Sequence, residues 1–369
     1  MTTVIAPSAL DFALPPEREA HEPPEARGVP RDGVALMVSR RAAGEVSHHQ
    51  FTDLPRLLLP GDLLVVNTSA TLPAAVPVTA APGDGPQQAL RGAERRPEVG
   101  PAAGHGPVPG PDAVHFSTAL PDGQWLVELR AADGPTTRPH PGGAPGQELV
   151  LPAGALLTLG SRFTQRLWRS RLSTAVIPYL IRHGTPIRYS YVRRPWPVEA
   201  YQTVFGTRPG SAEMPSASRP FTPQVVAALV ARGITIAPVT LHTGVSSLEG
   251  DEEPYPEPYD VPPTTARLVD LTRRHGGRVI AVGTTVVRAL ETAARQGGSG
   301  TGWTEHVVTP QTPLLAVDGL LTGLHEPRST HLWMLGAFAE PGLLHRCYTA
   351  AIDQGYLWHE FGDLHLLLP

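Results

Sequence analysis

One strand–turn–helix joint, RVIAVGTTVVRALE, has residue types that suit the binding of an anion. The strand ends at Gly283, and the hydroxyl of Thr284 or Thr285 is expected to cap the helix that follows. The N–H groups at such a helix start favour a carboxylate or a phosphate. Arg288, one turn later, could add a bidentate contact to the same anion, with Glu291 holding Arg288. Ordinary helix capping with a surface ion pair is the alternative explanation of this pattern.

A second candidate is the strand-like segment PVTLHTG, in which Thr240 and His242 alternate along one face. Histidine titrates near neutral pH, so a histidine at the carboxyl end of a strand is well placed to move protons. The alternative is a core histidine that is hydrogen bonded to a backbone group. The segment alone does not separate the two.

A third candidate is the loop LLTGLHEPRSTH, which Pro327 interrupts. Its polar side chains are Thr322, His325, Arg328, Ser329 and Thr330. HEPRSTH departs from the HExxH zinc pattern, because its second histidine is too distant and the proline breaks a helix. We therefore predict no metal site here. The alternative is a polar loop followed by a helix that Ser329 caps.

An arginine-rich stretch runs from Arg162 to Arg194, with no acidic residue before Glu199. Its arginines are Arg162, Arg166, Arg169, Arg171, Arg182, Arg188, Arg193 and Arg194, and Trp168, Tyr179, Tyr189, Tyr191 and Trp196 lie among them or just beyond. Phosphate contacts combined with aromatic stacking would suit RNA. A solvated arginine-rich surface explains the composition equally well.

The chain has 369 residues, which is long enough for two domains. The predicted secondary structure that must position these residues differs between two parts of the chain. From residue 201 onward, strands and helices alternate, which indicates an α/β domain. Helices are predicted over 223–233, 263–277 and 345–356, and strands over 234–244 and at the chain end. Residues 72–165 instead suggest a small β-domain inserted into the larger one. It contains a Pro/Gly-rich loop over 81–112, which has too few apolar residues to pack.

Composition excludes several classes of protein. The sequence contains no lysine, which excludes Schiff-base chemistry and lysine-bound pyridoxal phosphate. Cys347 is the single cysteine, so neither an intrachain disulfide nor a cysteine zinc cluster can form. The net charge of −4 argues against a nucleic-acid binder that uses its whole surface. We find no signal peptide and no apolar run long enough for a membrane span, and therefore expect a cytoplasmic protein.

The order of the motifs resembles the S-adenosylmethionine:tRNA ribosyltransferase-isomerase family of queuosine biosynthesis. The matching pieces are FTDLPRLLLPGDLLVVNTSATLPA, YQTVF, MPSA, PVTLHTG, RVIAVGTTVVRALE, LLTGLHEPRST, AFAE and FGD. The resemblance implies a mixed α/β larger domain, residues 1–71 and 166–369, with an inserted small all-β, barrel-like domain over 72–165. It implies transfer of the ribosyl part of S-adenosylmethionine to the aminomethyl group of a 7-deazaguanine base in tRNA. The products would be epoxyqueuosine, adenine and methionine.

The resemblance also implies roles for particular residues. His242, His325 and Glu257 would be catalytic, and Thr284, Thr285 and Arg288 would hold the methionine carboxylate. The remaining implied binding residues are Asn67, Tyr201, Gln202, Ser216, Thr240, Gly283, Thr322, Ser329 and Thr330. S-adenosylmethionine would be a cosubstrate, no metal is expected, and tRNA would bind through the stretch from Arg162 to Arg194. We expect a monomer or a homodimer.

Several polar positions depart from the family pattern. Pro220 stands where the family has a histidine, and Ala70 and Ala75 stand where it has arginines. The strand exit after His242 differs as well, at residues 243–248, and the family's HxMHxE segment keeps only its glutamate, as Glu257. Two alternatives therefore stay open. One is a diverged paralogue that uses S-adenosylmethionine on a small-molecule acceptor; the other is a non-catalytic protein that binds S-adenosylmethionine.

Overall fold

A computed structural model of the chain describes residues 10–79, 110–134, 136–245 and 254–369. Most of the predicted Pro/Gly-rich loop over 81–112 lies outside these described residues, as do residues 246–253 of the diverged segments that follow His242. The chain divides into two compact units, one formed by residues 1–72 with 188–369 and the other by residues 73–187. The predicted division at 165/166 stays a prediction about domains, although residues 166–187 belong to the second compact unit.

The described residues form eighteen strands and seven α-helices. The strands are β1 (Ala35–Arg40), β2 (Glu45–Gln50), β3 (Leu63–Asn67), β4 (Ser69–Thr71), β5 (Ala75–Pro77), β6 (Ala113–Ala119), β7 (Trp125–Asp133), β8 (Thr136–Pro139), β9 (Glu148–Leu151), β10 (Ala155–Arg162), β11 (Leu167–Leu172), β12 (Arg208–Ser211), β13 (Thr235–Leu241), β14 (Glu257–Val261), β15 (Val279–Val282), β16 (Gly300–Thr304), β17 (Gly319–Gly323) and β18 (Leu364–Leu368). The helices are α1 (Leu54–Leu57), α2 (Val176–His183), α3 (Pro223–Ala231), α4 (Pro263–Arg274), α5 (Thr284–Arg295), α6 (Thr330–Leu335) and α7 (Pro341–Asp353).

The first unit is built on a nine-stranded mixed sheet with the strand order β16-β14-β13-β3-β15-β17-β18-β1-β2. Side chains of the central strand β3 alternate between two apolar cores, because successive residues of a strand point to opposite faces. Leu63 and Val65 pack with Val286 of α5, whereas Leu64 and Val66 pack with Leu229 of α3. Helices therefore cover both faces, which explains why the central strands are continuous apolar runs.

Four neighbouring strands of this sheet, β13, β3, β15 and β17, run parallel to one another. Their carboxyl ends therefore meet at one edge of the sheet. Asn67 ends β3, His242 directly follows β13, Gly283 follows β15, and Thr322 lies at the end of β17. Four segments that the sequence separates by tens of residues are thus brought to the edge at which open α/β sheets bind their ligands.

The second unit contains a seven-stranded antiparallel sheet with the order β5-β6-β7-β11-β10-β9, in which β8 pairs with β7. The Thr79 N–H, just after β5, donates to the Val150 carbonyl oxygen of β9 at 2.8 Å, so the sheet is nearly closed into a barrel. Strands β6 and β7 of this sheet pair as an antiparallel hairpin. The mixed α/β class and the barrel-like sheet that the sequence predicted are confirmed.

Candidate active site

A cavity of about 300 Å3 lies in the first unit, at the carboxyl ends of the parallel strands. This volume is at the lower end of the range, about 300–1,000 Å3, that small-molecule sites usually enclose. Its walls come from the start of α5, the segment after β17, the segment that includes Ser216, and the approach to β18. The lining residues are Tyr189, Tyr191, Glu213, Met214, Pro215, Ser216, Ala217, Thr243, Gly283, Thr284, Thr285, Thr322, Gly323, Leu324, His325, Glu326, Ser329, His331, His359 and Glu360.

The start of α5 forms one wall of this cavity. Gly283 precedes the helix with a φ of 96°, a conformation that glycine adopts without steric cost. The prediction that Thr284 or Thr285 caps the helix is wrong, because both residues lie inside its first turn and no side chain caps it. The Thr285 hydroxyl instead accepts a hydrogen bond from Asn67 Nδ2 at 3.3 Å. Among the described residues, no side chain accepts a hydrogen bond from the first N–H groups of α5, which lie beside the cavity.

Arg288 does not line the cavity; it is buried in a polar cluster away from it. Its guanidinium forms an ion pair with Glu257 and donates to the carbonyl oxygens of Tyr255, Thr304 and His306. The predicted pairing of Glu291 with Arg288 is wrong. Tertiary contacts outweigh the helical spacing, since the Glu291 carboxylate binds Arg295 and accepts from the N–H groups of residues 315–317.

Glu257, predicted to be catalytic, is the acidic member of this cluster and also lies outside the cavity lining. One carboxylate oxygen binds Arg288, and the other accepts from the Gly244 N–H at 3.1 Å. Burial raises the pKa of Glu257, while Arg288 acts in the opposite direction. The arrangement fixes α5 and the segment that follows His242, so Glu257 and Arg288 are placed to position the start of α5 beside the cavity.

His325 lines the cavity and is held from several sides. Its Nε2 lies 2.8 Å from the hydroxyl of Thr322, and its ring stacks on that of His331 with a centroid distance of 4.6 Å. Tyr348 and Trp358 contact its backbone, through the His325 N–H and carbonyl oxygen respectively. Burial, with smaller contributions from neighbouring histidines, holds the pKa of His325 well below its ordinary value. The imidazole is therefore neutral at pH 7.

His242 lies close to the same edge of the sheet but does not line the cavity. Its Nδ1 is 2.7 Å from the hydroxyl of Ser69, which in turn is 2.5 Å from that of Ser211. A side chain at Gly210 would collide with this imidazole, because a Cβ there would lie 2.4 Å from Nδ1. Burial, followed by the charge of Arg208, lowers the pKa of His242. Nearby, the Thr240 hydroxyl contacts that of Thr68 at 2.8 Å.

The other predicted binding residues fall into two groups. Ser216, Gly283, Thr284, Thr285, Thr322 and Ser329 line the cavity together with His325, whereas Asn67, Tyr201, Gln202, Thr240 and Thr330 do not. Gln202 clamps the backbone of Thr71 by two hydrogen bonds, and Tyr201 packs against Phe361. Asn67 joins the ends of two strands, since its amide bonds both the N–H and the carbonyl oxygen of Leu241. These side chains support the site from outside the cavity.

The cavity also contains side chains that sequence reasoning did not select as site residues. The titratable ones among them are Glu213, Glu326, His331, His359 and Glu360. Tyr189 and Tyr191, which the sequence indicated as stacking residues, line the same cavity. Composition and spacing gave no signal for Glu213 or Glu360, because each lies in a segment without regular structure that only the fold brings to the sheet edge.

The carboxyl groups dominate the electrostatics of the cavity. Burial and the charge of Glu213 raise the pKa of Glu360 to about 8. Burial and Glu19 raise the pKa of Glu326. Burial lowers the pKa values of His331 and His359 to about 4 each, so both rings are neutral at pH 7. The described part of the lining contains no arginine, and it can carry only negative charge near neutral pH.

The arginine-rich stretch is divided between the two units. Residues Arg162, Arg166, Arg169, Arg171 and Arg182 lie in the second unit, and Arg188, Arg193 and Arg194 in the first. Arg162 and Arg194 stack over Trp168 and Trp196 at 4.4 and 4.2 Å. The exposed arginines of the stretch are Arg162, Arg171, Arg182, Arg193 and Arg194.

Two general features bear on the class of site. Over the described ranges, no three His, Cys, Asp or Glu side chains come together as metal ligands would. No helix in those ranges is both long and apolar enough to cross a membrane.

Comparison with known proteins places the chain in a family. The queuosine biosynthesis protein family matches residues 7–367. S-adenosylmethionine:tRNA ribosyltransferase-isomerases from Thermus thermophilus and Moorella thermoacetica are 34% and 32% identical over 370 and 390 residues, covering 97–98% of this chain and 98–99% of each relative. The crystal structure of the S-adenosylmethionine tRNA ribosyltransferase from Thermotoga maritima aligns with 97% of this chain and 99% of its own, at 27% identity and a TM-score of 0.52. The chain therefore belongs to the queuosine biosynthesis protein family.

Proposed function

We propose that this protein transfers the ribosyl part of S-adenosylmethionine to a 7-aminomethyl-7-deazaguanine base of tRNA and isomerises it, giving epoxyqueuosine, adenine and methionine. One observation carries the proposal beyond family membership. Motifs that are far apart in the sequence contribute Ser216, Thr285, Thr322, His325 and Ser329 to a single cavity. That cavity lies at the sheet edge where α/β folds bind their ligands.

His325 is our candidate for the base that starts the reaction. The positive sulfur of S-adenosylmethionine acidifies the neighbouring C5′ proton, so a neutral base must reach that carbon. When Nε2–H of His325 donates to Thr322, Nδ1 keeps the lone pair that can accept this proton. Stacking on His331 and the backbone contacts with Tyr348 and Trp358 fix the ring. Such fixation lowers the entropic cost of reaching the transition state.

The start of α5 is our candidate site for the methionine carboxylate. The N–H groups of Thr284 and Thr285 carry the partial positive charge of a helix N-terminus, and no side chain caps them. In this proposal Arg288 supports the helix through Glu257 rather than binding the carboxylate directly. His242 supports the same sheet edge through Ser69, and its predicted catalytic role stays a prediction.

We further propose that tRNA contacts the exposed arginines between Arg162 and Arg194, and that the protein acts in the cytoplasm. We also propose that the barrel-like unit, residues 73–187, is an inserted domain. Arginine suits contact with tRNA, because its planar guanidinium group binds phosphate in a bidentate manner and stacks on bases. A protein that neutralises several phosphates loses tRNA affinity steeply as salt rises.

The test is incubation of the full chain with S-adenosylmethionine and tRNA that carries the 7-aminomethyl-7-deazaguanine base. We expect release of adenine and methionine and a matching gain in tRNA mass. Unmodified tRNA is the matched control and should give neither product. Adenine release that needs a small-molecule acceptor and no tRNA would establish the diverged paralogue instead. Binding of S-adenosylmethionine without turnover on any acceptor would establish the non-catalytic alternative.

A further inference from the structure

Three planar side chains form a continuous stack along one wall of the cavity. The rings of Tyr189 and Tyr191 are 5.7 Å apart at 16°, and those of Tyr191 and His359 are 3.9 Å apart at 7°. Each tyrosine hydroxyl donates to a carboxylate of the same cavity: Tyr189 to Glu213, and Tyr191 to Glu360 at 3.4 Å. The stack therefore fixes two carboxylates beside each other.

Several buried polar atoms on this wall have no hydrogen-bond partner among the described residues. They are Oε1 of Glu360, Oγ of Ser329 and Nε2 of His359, the last of which lies 3.7 Å from Oε1 of Glu19. The side chain of His359 is only 5% exposed, and its backbone has a φ of 73°, which costs energy for a residue with a Cβ. Buried polar groups in native proteins nearly always have partners. The unpartnered oxygens of Glu360 and Ser329 therefore point to a hydrogen-bond partner that occupies the cavity.

The charge of the wall specifies the kind of ligand. Glu213, Glu326 and Glu360 share the cavity, while the histidines beside them are neutral at pH 7. Arg219 is the cation that acts on Glu360, but its guanidinium is bound to Glu25 and to the Ala200 carbonyl oxygen. Placing carboxylates together in a buried site is unfavourable unless a cation or a proton neutralises them.

We propose that Glu213 and Glu360 form a binding subsite for the organic cation of the substrates, either a sulfonium or a primary ammonium. This inference rests on the proposed function, because both substrates of that reaction bring such a group. S-adenosylmethionine carries a positive sulfur, and the aminomethyl group of the acceptor base is protonated near neutral pH.

The subsite selects by charge. A neutral ligand of the same shape gains no charge attraction to the two carboxylates, so it loses affinity although its other contacts remain. A bound cation also favours the ionised form of Glu360. The groups that act on this carboxyl are Glu213, Tyr191, Arg219 and Tyr201. Because its pKa in the free protein is about 8, cation binding at pH 7 releases up to about one proton from Glu360.

The test is calorimetric titration of the full chain at pH 7 with two matched pairs of ligands. The first pair is S-adenosylmethionine and S-adenosylhomocysteine, which lacks the charge on sulfur. The second is free 7-aminomethyl-7-deazaguanine and its neutral 7-cyano counterpart. We expect the charged member of at least one pair to bind about tenfold more tightly, or ~1.4 kcal/mol. The pair that shows the preference identifies which cation occupies the subsite.

Glu360→Gln and Glu213→Gln should each reduce that preference to about twofold or less, since they remove charge and keep shape. Glu305→Gln is the matched control, because Glu305 is exposed and outside the cavity, and it should keep the preference. Titration in buffers with different ionisation enthalpies should show proton release in the wild type and none in Glu360→Gln. Should Glu360→Gln fail to fold, Glu213→Gln and the wild-type preference decide.

The outcomes separate this inference from the proposed function. Equal affinity for both members of both pairs, or a preference that survives in Glu360→Gln and Glu213→Gln, overturns the subsite. If adenine release with tRNA is normal in that case, the proposed function stands without it. A charge preference that the variants remove, in a protein that never releases adenine, supports the subsite and contradicts the proposed function.

Discussion

Two buried polar clusters in the first unit use similar residues in opposite ways. The internal network, formed by Glu257, Arg288, Glu291, Thr292 and Thr304, satisfies its charges and hydroxyls within the protein. The cavity wall, formed by Glu213, Ser329, His359 and Glu360, has buried atoms at three of its four residues that find no hydrogen-bond partner in the part of the chain that the structure describes. Burial of a polar residue therefore does not reveal its role. What separates a support from a ligand site is whether its hydrogen-bonding groups already have partners.

The largest expected effect comes from breaking the internal network. Glu257→Gln should lower the free energy of unfolding by about 3–5 kcal/mol, because it leaves the Arg288 guanidinium buried without its counter-charge. Denaturant unfolding followed by circular dichroism measures this loss. The double variant Glu257→Leu with Arg288→Met is the control, and it should recover much of the stability. If Arg288→Gln instead weakened S-adenosylmethionine binding with little change in stability, Arg288 would belong to the ligand site.

The next effect separates the two candidate histidines. His325→Ala should lower the rate of adenine release by about 10²- to 10⁴-fold, the usual contribution of a positioned acid or base. His242→Ala should lower turnover less, because His242 contacts Ser69 outside the cavity. Single-turnover assays at saturating S-adenosylmethionine give both rates, and thermal unfolding confirms that both variants fold. Full activity in both variants would contradict the catalytic assignment.

The raised pKa of Glu360 on the cavity wall can be tested without a ligand, by measuring the free energy of unfolding as a function of pH. The folded-state pKa of Glu360, about 8, lies above its ordinary value of 4.5. The folded protein therefore binds more protons than the unfolded chain between these values, and this group costs stability as pH rises through them. Glu360→Gln removes that cost. We expect its stability relative to the wild type to grow by roughly 1 kcal/mol or more from pH 5 to pH 9. A difference that is independent of pH would contradict the raised pKa.

The sequence predicts best what depends on neighbouring residues. Helix α3 has Pro223 at its start, and α5 follows a strand that ends at glycine, so both were placed close to their observed bounds. Cavity residues on the matched motifs, such as Thr322 and His325, were also found, because family resemblance preserves their order. The partner of Arg288 was not found. Helical spacing pointed to Glu291, whereas the fold supplied Glu257 from 31 positions earlier.

The cavity wall was the least predictable part of the site. Tyr191 and Glu360 are 169 residues apart, and no periodic pattern links them. His359 and Glu213 lie in irregular segments, where side-chain direction depends on tertiary contacts rather than on local propensity. The charge of the wall also follows from burial, which composition does not reveal. Local reasoning therefore located the scaffold and part of the site, while the groups that set its charge needed the fold.

The smallest expected effects come from removing one hydroxyl from each of the two clusters. This pair of variants compares the internal network and the cavity wall most directly. Thr292→Val removes a hydroxyl that lies 2.7 Å from that of Thr304 in the internal network, and should cost about 1 kcal/mol of stability. Ser329→Ala removes a buried hydroxyl without a partner, so stability should change by less than about 0.5 kcal/mol. Ser329→Ala should instead bind S-adenosylmethionine severalfold more weakly, as measured by calorimetry. If Ser329→Ala were as destabilising as Thr292→Val and left affinity unchanged, the Ser329 hydroxyl would be structural, and a missing hydrogen-bond partner would not mark a ligand site.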